Sequence, residues 1–373
     1  MKPVSKALHT RVPIENTRPA VTPLFQASAF EAGSPHFYTR KSNPNTCEFE
    51  DTVRTMEEAR YAVAVATGMA AIRICLDQLR PGDEIVMNSY IYGCSYKLIQ
   101  RLAERMGWTL KVLDLSVPAN IDRIGNAVRM VFFETPTNPF LKKVDIQAIV
   151  RAVKARSPNC LVVVDNTWAT SLFQHPLEHG ADVSLHSATK FFSGHSDVMG
   201  GILLTDREDL YESFKAERFY SGAILAPHSS WLLRRSLQTL ALRMSHHQQV
   251  TQQMVEFLSK LPQVDRIYYP DVDGRQLKGY GGIIFFDLRE DLVERYPEFI
   301  STLKLFGTGT GMACVTSMVA QPFTGSHASM TDEEKTQMGL GKRTVRLCFG
   351  LEDVEDLKQD VRSALASIDS RAR

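Results

Sequence analysis

The chain has no apolar run approaching the ~20 residues that a membrane-spanning helix needs. Its first twenty residues mix proline, charge and polar side chains without the apolar segment of an ordinary secretion signal. A charge excess of either sign is missing as well. With 43 basic and 42 acidic residues the formal net charge is +1, so neither a nucleic-acid surface nor an acidic tail is indicated. The six cysteines, Cys47, Cys75, Cys94, Cys160, Cys314 and Cys348, include no Cys-x-x-Cys pair and no ligand spacing to histidine. Free thiols in a reducing cytoplasm are the economical expectation. His246-His247 and the group His186, His195 and Asp197 follow no recognised ligand pattern, so no metal is expected. No internal repeat and no low-complexity tract is present. A chain of 373 residues has room for one large domain and a smaller one.

What is present is alternation. Apolar segments at residues 61–66, 84–88, 110–115, 128–134, 161–165, 182–186 and 201–205 alternate with helical patterns, which predicts a mainly parallel α/β sheet. After Trp231 the pattern changes. Leu233, Leu237, Leu240 and Met244 stand at helical spacing, continued by Val250, Met254, Phe257 and Leu258. Residues 282–288 and 344–349 then read as strands of a smaller α+β unit. The expected division is a large domain over 45–232 and a small one over 233–373. Residues 1–44 carry Pro3, Pro13, Pro19, Pro23, Pro35 and Pro44 with little periodicity. They read as an extended arm lying on a neighbouring subunit, with a disordered tail as the alternative.

The chemistry centres on one lysine. Lys190 follows Ser187 and Thr189 and precedes Gly194-His195-Ser196-Asp197. A lysine that sheds its proton condenses with an aldehyde, and hydroxyls just before it can hold a phosphate on the same short loop; together they read as an attachment site for pyridoxal 5'-phosphate (PLP). The plain alternative is a solvated surface lysine. Against it stands the apolar run Leu161-Val162-Val163-Val164, which delivers Asp165 to the carboxyl edge of a buried parallel strand. A carboxylate facing the pyridine nitrogen keeps that nitrogen protonated and makes the ring an electron sink. Thr67-Gly68-Met69 opens a helix after a strand, where free amides attract an anion. Gly307-Thr308-Gly309-Thr310-Gly311 lacks the lysine of a P-loop and the Gly-x-Gly-x-x-Gly spacing, and reads instead as a flexible loop at the substrate site.

These motifs continue along the chain as Tyr38-Thr39-Arg40 with Asn43-Pro44, Tyr92-Gly93-Cys94-Ser95, Glu134-Thr135-Pro136-Thr137-Asn138-Pro139, His327-Ala328-Ser329-Met330 and Arg346-Leu347-Cys348-Phe349-Gly350-Leu351-Glu352. In this order they resemble the PLP-dependent cystathionine and methionine metabolism family, which includes cystathionine γ-synthase, cystathionine γ-lyase, cystathionine β-lyase, methionine γ-lyase and the homoserine sulfhydrylases. The resemblance spans nearly all of the chain. It implies PLP-dependent transferase fold type I, aspartate aminotransferase-like: a mainly parallel seven-stranded sheet domain with a smaller C-terminal α+β domain.

It also implies roles. Lys190 would hold PLP and then move protons as a base, and Asp165 would pair with the ring nitrogen. Tyr92 would stack on the ring and, with its phenol ionised in a cation-rich site, activate the incoming amine or protonate a leaving group. Asn138 would reach the cofactor's phenolic oxygen and the substrate carboxylate, while Gly68, Met69, Ser187 and Thr189 hold the phosphate. Tyr38 and Arg40 would complete that phosphate site from another subunit, which requires at least a dimer; the resemblance suggests a tetramer. Arg346 would grip the substrate's α-carboxylate with two parallel bonds that lysine cannot copy.

The substrate side departs from the family pattern. Aligned through Pro322 and His327, Gly311 stands where members carry a serine, and Thr310 where the γ branches often carry a glutamate. The missing acid counts against a cystathionine-sized substrate. Cys94, after Tyr-Gly, resembles methionine γ-lyase, whereas Trp168 resembles bacterial cystathionine β-lyases. The segment between Tyr269-Pro270 and Gly281-Gly282 is shorter than usual. The expected activity is therefore γ-elimination or γ-replacement on a γ-substituted α-amino acid, with β-elimination as the alternative. A low-turnover PLP-binding regulatory protein is the alternative of another class; intact Lys190, Asp165, Tyr92 and Arg346 count against it.

Overall fold

The structure, a computed structural model, describes residues 2–10 and 19–369. Seven short strands build the first sheet: β1 (Tyr61–Val65), β2 (Glu84–Asn88), β3 (Thr109–Leu113), β4 (Val128–Glu134), β5 (Leu161–Asp165), β6 (Val183–His186) and β7 (Gly201–Thr205), in the order β1-β7-β6-β5-β4-β2-β3. The pairings from β3 across to β6 are parallel, and only β7 runs against both of its neighbours. The seven expected strands are all present, with shifts at three: β1 stops at Val65, β3 runs from Thr109 to Leu113, and β6 starts at Val183.

The central strands are apolar without alternation because both sheet faces are covered. Successive side chains point to opposite faces. Val163, Val183, Leu185, Met130 and Phe132 join one core cluster, while Val162, Val164, Val131 and Phe133 join another with Ile146, Ile149 and Val153 of the helix Ile146–Arg156.

The N-terminal segment is not extended throughout. Residues 3–9 form a helix, α1 (Pro3–His9), with Pro3 in its first turn, where the missing N–H costs nothing. Ala7 packs in one cluster with Phe49, Val53 and Met56 of α2 (Pro44–Glu57). Arg234 anchors the end of α1, its Nη2 donating to the carbonyl of Thr10 at 2.9 Å. Between Pro19 and Asn43 the backbone forms neither helix nor strand beyond an isolated bridge from Ala29 to Tyr38. Pro13 lies outside the described residues.

The helices Pro227–Leu237 and Leu240–Leu258 lead to a second sheet of β8 (Val264–Tyr268), β9 (Ile283–Leu288), β10 (Gly307–Thr308), β11 (Met318–Ala320) and β12 (Thr344–Cys348), in the order β10-β11-β12-β9-β8. Residue 232 falls inside the helix Pro227–Leu237. Phe191, Ile202, Leu233, Leu240, Met244, Ile283, Phe285 and Cys348 share one cluster, so a continuous core joins the two sheets. Gly307 and Thr308, expected in a loop, pair in parallel with β11 as an edge strand. Among the described residues no helix is long and apolar enough to cross a membrane.

Candidate active site

Parallel strands end at one edge of the sheet, and the site is built there. Glu134 and Asp165 end β4 and β5 directly opposite each other in register, so their carboxyls leave the sheet on the same face. Both are buried. Asp165 Oδ1 accepts the amide of Thr167 at 2.9 Å, and Thr167 Oγ1 accepts the amide of Ser187 at 2.8 Å, which ties the loop after β5 to the loop after β6. The second loop turns tightly. Lys190 N donates to the carbonyl of Ser187 at 3.1 Å, Gly194 N to that of Lys190 at 2.8 Å, and Thr189 Oγ1 accepts the amide of Gly200 at 3.1 Å.

Two helices approach this edge with their N-termini. The first, α3 (Gly68–Leu76), is capped by Thr67, whose Oγ1 accepts the amide of Ala70 at 3.0 Å. A Cβ at Gly68 would stand 2.8 Å from Ser187 Cβ, so only glycine lets the helix reach the lysine loop. The second, α4 (Gly93–Met106), begins at Tyr92, whose amide donates to Glu134 Oε1 at 2.7 Å. A Cβ at Gly93 would lie 2.7 Å from the carbonyl oxygen of Ser326, which fixes α4 against the segment that follows β11.

Between these elements lies a cavity of ≈ 440 Å³. It brings together Gly68, Met69, Tyr92, Asn138, Asp165, Ser187, Thr189, Lys190 and Thr310, all expected from the sequence. Gly311 lines an adjoining cleft of ≈ 600 Å³ that shares Thr189, Lys190, Met199, Thr310 and Met312 with the first. Cys94 lines a different cleft, together with Lys97 and Arg101 of α4. Tyr38 and Arg40 do not line the cavity of their own chain. Arg40 instead donates from Nη1 to the carbonyl of Phe219 at 2.8 Å and lies 4.1 Å from that residue's ring centroid. Arg346, on β12, is fully buried behind the loop, with Nη2 donating to the carbonyls of Thr310 and Gly311 at 3.3 and 3.2 Å. Among the described residues it has no carboxylate partner, and its Nε has no hydrogen-bond partner.

The electrostatics follow from burial. Burial lowers the Lys190 ammonium below its ordinary value, and the Arg346 guanidinium pushes in the same direction. Burial raises the Asp165 carboxyl against the pull of its Thr167 bonds. Burial and contact with Cys94 raise the Tyr92 phenol, and Arg346 offsets only part of that. Glu134, to which the sequence motif assigns no role, lines the cavity and is raised well above the carboxylate range, first by burial and then by Asp165. Trp168, Met199 and Met312 complete the wall.

These residues fit pyridoxal 5'-phosphate. Burial raises the Asp165 carboxyl, no salt bridge to it occurs among the described residues, and a protonated ring nitrogen would supply a cation directly. Asn138 Oδ1 is buried without a hydrogen-bond partner among the described residues, a polar end left for a ligand. The close approach of Gly68 to Ser187 sets helix amides beside two hydroxyls, as a phosphate requires.

Residues 5–366 match the model of the family described as Cys/Met metabolism PLP-dependent enzyme. The chain is 36% identical over 380 residues to an L-methionine gamma-lyase of Pseudomonas deceptionensis, covering 95% of this chain and 94% of that protein. It is 34% identical over 365 residues to a cystathionine beta-lyase of Coxiella burnetii, covering 94% of each. Among solved structures, a cystathionine gamma synthase from Xanthomonas oryzae pv. oryzae, in complex with aminoacrylate and cysteine, superposes with a TM-score of 0.94 at 31% identity over 100% of both chains.

Proposed function

Since the chain belongs to the Cys/Met metabolism PLP-dependent enzyme family, we propose that it catalyses γ-elimination or γ-replacement on a γ-substituted α-amino acid. The observation that carries the reading is Arg346: a buried guanidinium with no acid beside it among the described residues, close enough to Lys190 to lower its affinity for a proton. An amino-acid carboxylate answers both needs. It would neutralise Arg346, and charge-assisted bonds are stronger than the neutral carbonyl contacts the arginine now makes.

Pyridoxal 5'-phosphate, when bound, supplies the sink for negative charge developing at the substrate's α carbon. Lys190 would carry the cofactor and afterwards move protons between the α and neighbouring carbons; burial and Arg346 lower its affinity for a proton, the direction a base requires. Asp165 would hold a proton on the ring nitrogen. Ser187 and Thr189 hydroxyls and the amides of Gly68 and Met69 would bind the phosphate, and Asn138 would orient the ring and the substrate carboxylate. Tyr92 would stack on the ring and donate its proton towards the leaving group. Tyr38 and Arg40 of a second copy complete the phosphate site, which makes the enzyme at least a dimer and, in this reading, a tetramer. Cysteines without disulfides support a cytoplasmic setting.

Met199, Met312 and Thr310 line the wall next to Lys190, and the loop offers no carboxylate to a distal ammonium. That supports a substrate whose γ substituent has no distal charge, such as a thioether that leaves as a thiol, with Cys94 and Gly311 at the margin of the substrate site. A β-elimination reading is favoured by Trp168, which lines the same cavity.

The test is direct. Protein reconstituted with PLP is reduced with borohydride, digested and weighed to locate the cofactor on Lys190. It is then incubated with methionine, cystathionine and an O-acyl-homoserine. Formation of 2-oxobutanoate and ammonia supports γ chemistry, pyruvate supports β chemistry, and no turnover of any of them favours a regulatory protein.

A further inference from the structure

We propose that Glu134 is a positioning residue of this site: a neutral carboxyl group that fixes the backbone of Tyr92 and leaves the single negative charge of the Glu134–Asp165 pair on Asp165. The inference rests on the cofactor reading of the same cavity. Its starting point is the register of β4 and β5, which sets the two carboxyls side by side at the sheet edge, both buried and both lining the ≈ 440 Å³ cavity.

Two carboxylates this close in a buried site do not both ionise unless a cation intervenes; they share one proton. No ion pair to Glu134 occurs among the described residues. The titratable groups around it are Asp165 and Lys190 in the cavity, the Tyr92 phenol and Cys94 at the start of α4, and Arg346 behind the loop. Burial together with Asp165 drives the Glu134 carboxyl well above the ordinary range, whereas Asp165 is eased by two bonds from Thr167 and by the field of His186. A protonated ring nitrogen beside Asp165 adds to this bias, so the proton of the pair settles on Glu134.

A neutral carboxyl still has work to do. Its Oε1 accepts the Tyr92 amide at 2.7 Å, and the indole of Trp168 faces the same group. That amide is one of the donors a helix start leaves without a partner, and no side chain at Tyr92 itself caps α4. Holding it sets the position of the phenol over the cavity.

The test uses the cofactor-loaded protein and two variants, Glu134→Ala and Glu134→Gln. Glu134→Ala should weaken cofactor retention, measured by dialysis and absorbance, by about tenfold or more, the worth of a bond made to a buried polar group. Glu134→Gln, which keeps a neutral acceptor of the same length, should restore it to within about threefold of wild type. Infrared spectra at neutral pH should contain a protonated-carboxyl band that Glu134→Gln removes and Lys190→Ala keeps. The proposal is overturned if wild type lacks that band, or if Glu134→Gln is as damaging as Glu134→Ala. A wild-type protein that takes up no PLP would instead overturn the cofactor reading beneath it, and that outcome is seen before any variant is made.

Discussion

Arg346 Nη2 donates to the carbonyl oxygen of Gly311 at 3.2 Å, so a loop at the rim of the site occupies the donors that an incoming carboxylate would use. A substrate must exchange two neutral acceptors for its own charged one. Arg346→Lys removes the planar fork and leaves a point charge. The expected cost is about 2 kcal/mol, roughly thirtyfold in KM for an amino-acid substrate, with a smaller change in kcat. Steady-state kinetics with the best substrate measure it; an unchanged KM removes Arg346 from substrate binding.

Lys190 should leave a signature on the cofactor-free chain. Its pKa falls on folding because burial, aided by Arg346, penalises the ammonium. The folded chain then binds fewer protons than the unfolded one between that lowered value and the ordinary 10.5, so stability climbs with pH across this window. Lys190→Met should abolish the climb and raise stability at neutral pH. Urea midpoints of both proteins over a pH series decide it, and equal slopes would count against a buried, destabilised amine.

Gly68→Ala should disrupt the phosphate end. The new methyl would meet Ser187 Cβ at 2.8 Å, and overpacking of this kind costs about 1 to 3 kcal/mol. Cofactor affinity should fall with it, since the helix amides move away from Ser187. Gly125→Ala is the control: its nearest neighbours would stand at an ordinary 3.6 Å, so neither stability nor cofactor binding should change appreciably. Equal behaviour of the two variants would refute the close-approach argument.

Glu57 and His186 form a buried pair beneath the lysine loop. Glu57 Oε2 accepts His186 Nε2 at 2.8 Å and Ser171 Oγ at 2.6 Å, and Ser184 donates to its other oxygen. Burial alone would raise the Glu57 carboxyl, but His186 and the two serines outweigh it and hold it below its ordinary 4.5. The stability it contributes is therefore complete above 4.5 and is lost as pH falls below that value towards the folded-state pKa. Glu57→Gln should cost about 3 to 5 kcal/mol at neutral pH, because it leaves a buried partner uncompensated. In acid the difference should shrink; chemical unfolding at neutral and acid pH would expose a constant difference as contrary evidence.

Arg40 and Lys190 should complement each other between chains. Arg40 is held by Phe219 on its own chain and does not line that chain's cavity. Arg40→Ala and Lys190→Ala are each expected to be impaired. After subunit exchange, a mixed dimer contains one site with both residues intact, so activity should return. Mixed preparations no better than their components would place Arg40 outside any shared site.

Local chemistry made much of the site legible. Lys190 between hydroxyls and a glycine turn, Asp165 at the end of an apolar run, and Gly68 at a strand-to-helix switch each carry their signal within a few residues, and all of them line one cavity. The seven strands of the first sheet were readable for the same reason, since burial on both faces leaves an apolar run in the sequence. The helix at residues 3–9 was not, because proline in a first turn has the same composition as proline in an extended arm.

Other properties belong to distances that a linear pattern does not contain. Glu134 becomes a partner of Asp165 only through the register of β4 against β5. Cys94 touches the Tyr92 phenol yet lines a neighbouring cleft and not the cavity of Lys190. At the Tyr92 phenol, burial outweighs the field of Arg346, a balance that depends on how deeply the ring is packed. Sequence alone determined the strand pattern and the set of reactive side chains, because both depend on covalent identity and short-range periodicity. The tertiary structure decided which of those side chains face one another and which carry charge, because pairing register and desolvation arise only when distant segments pack together.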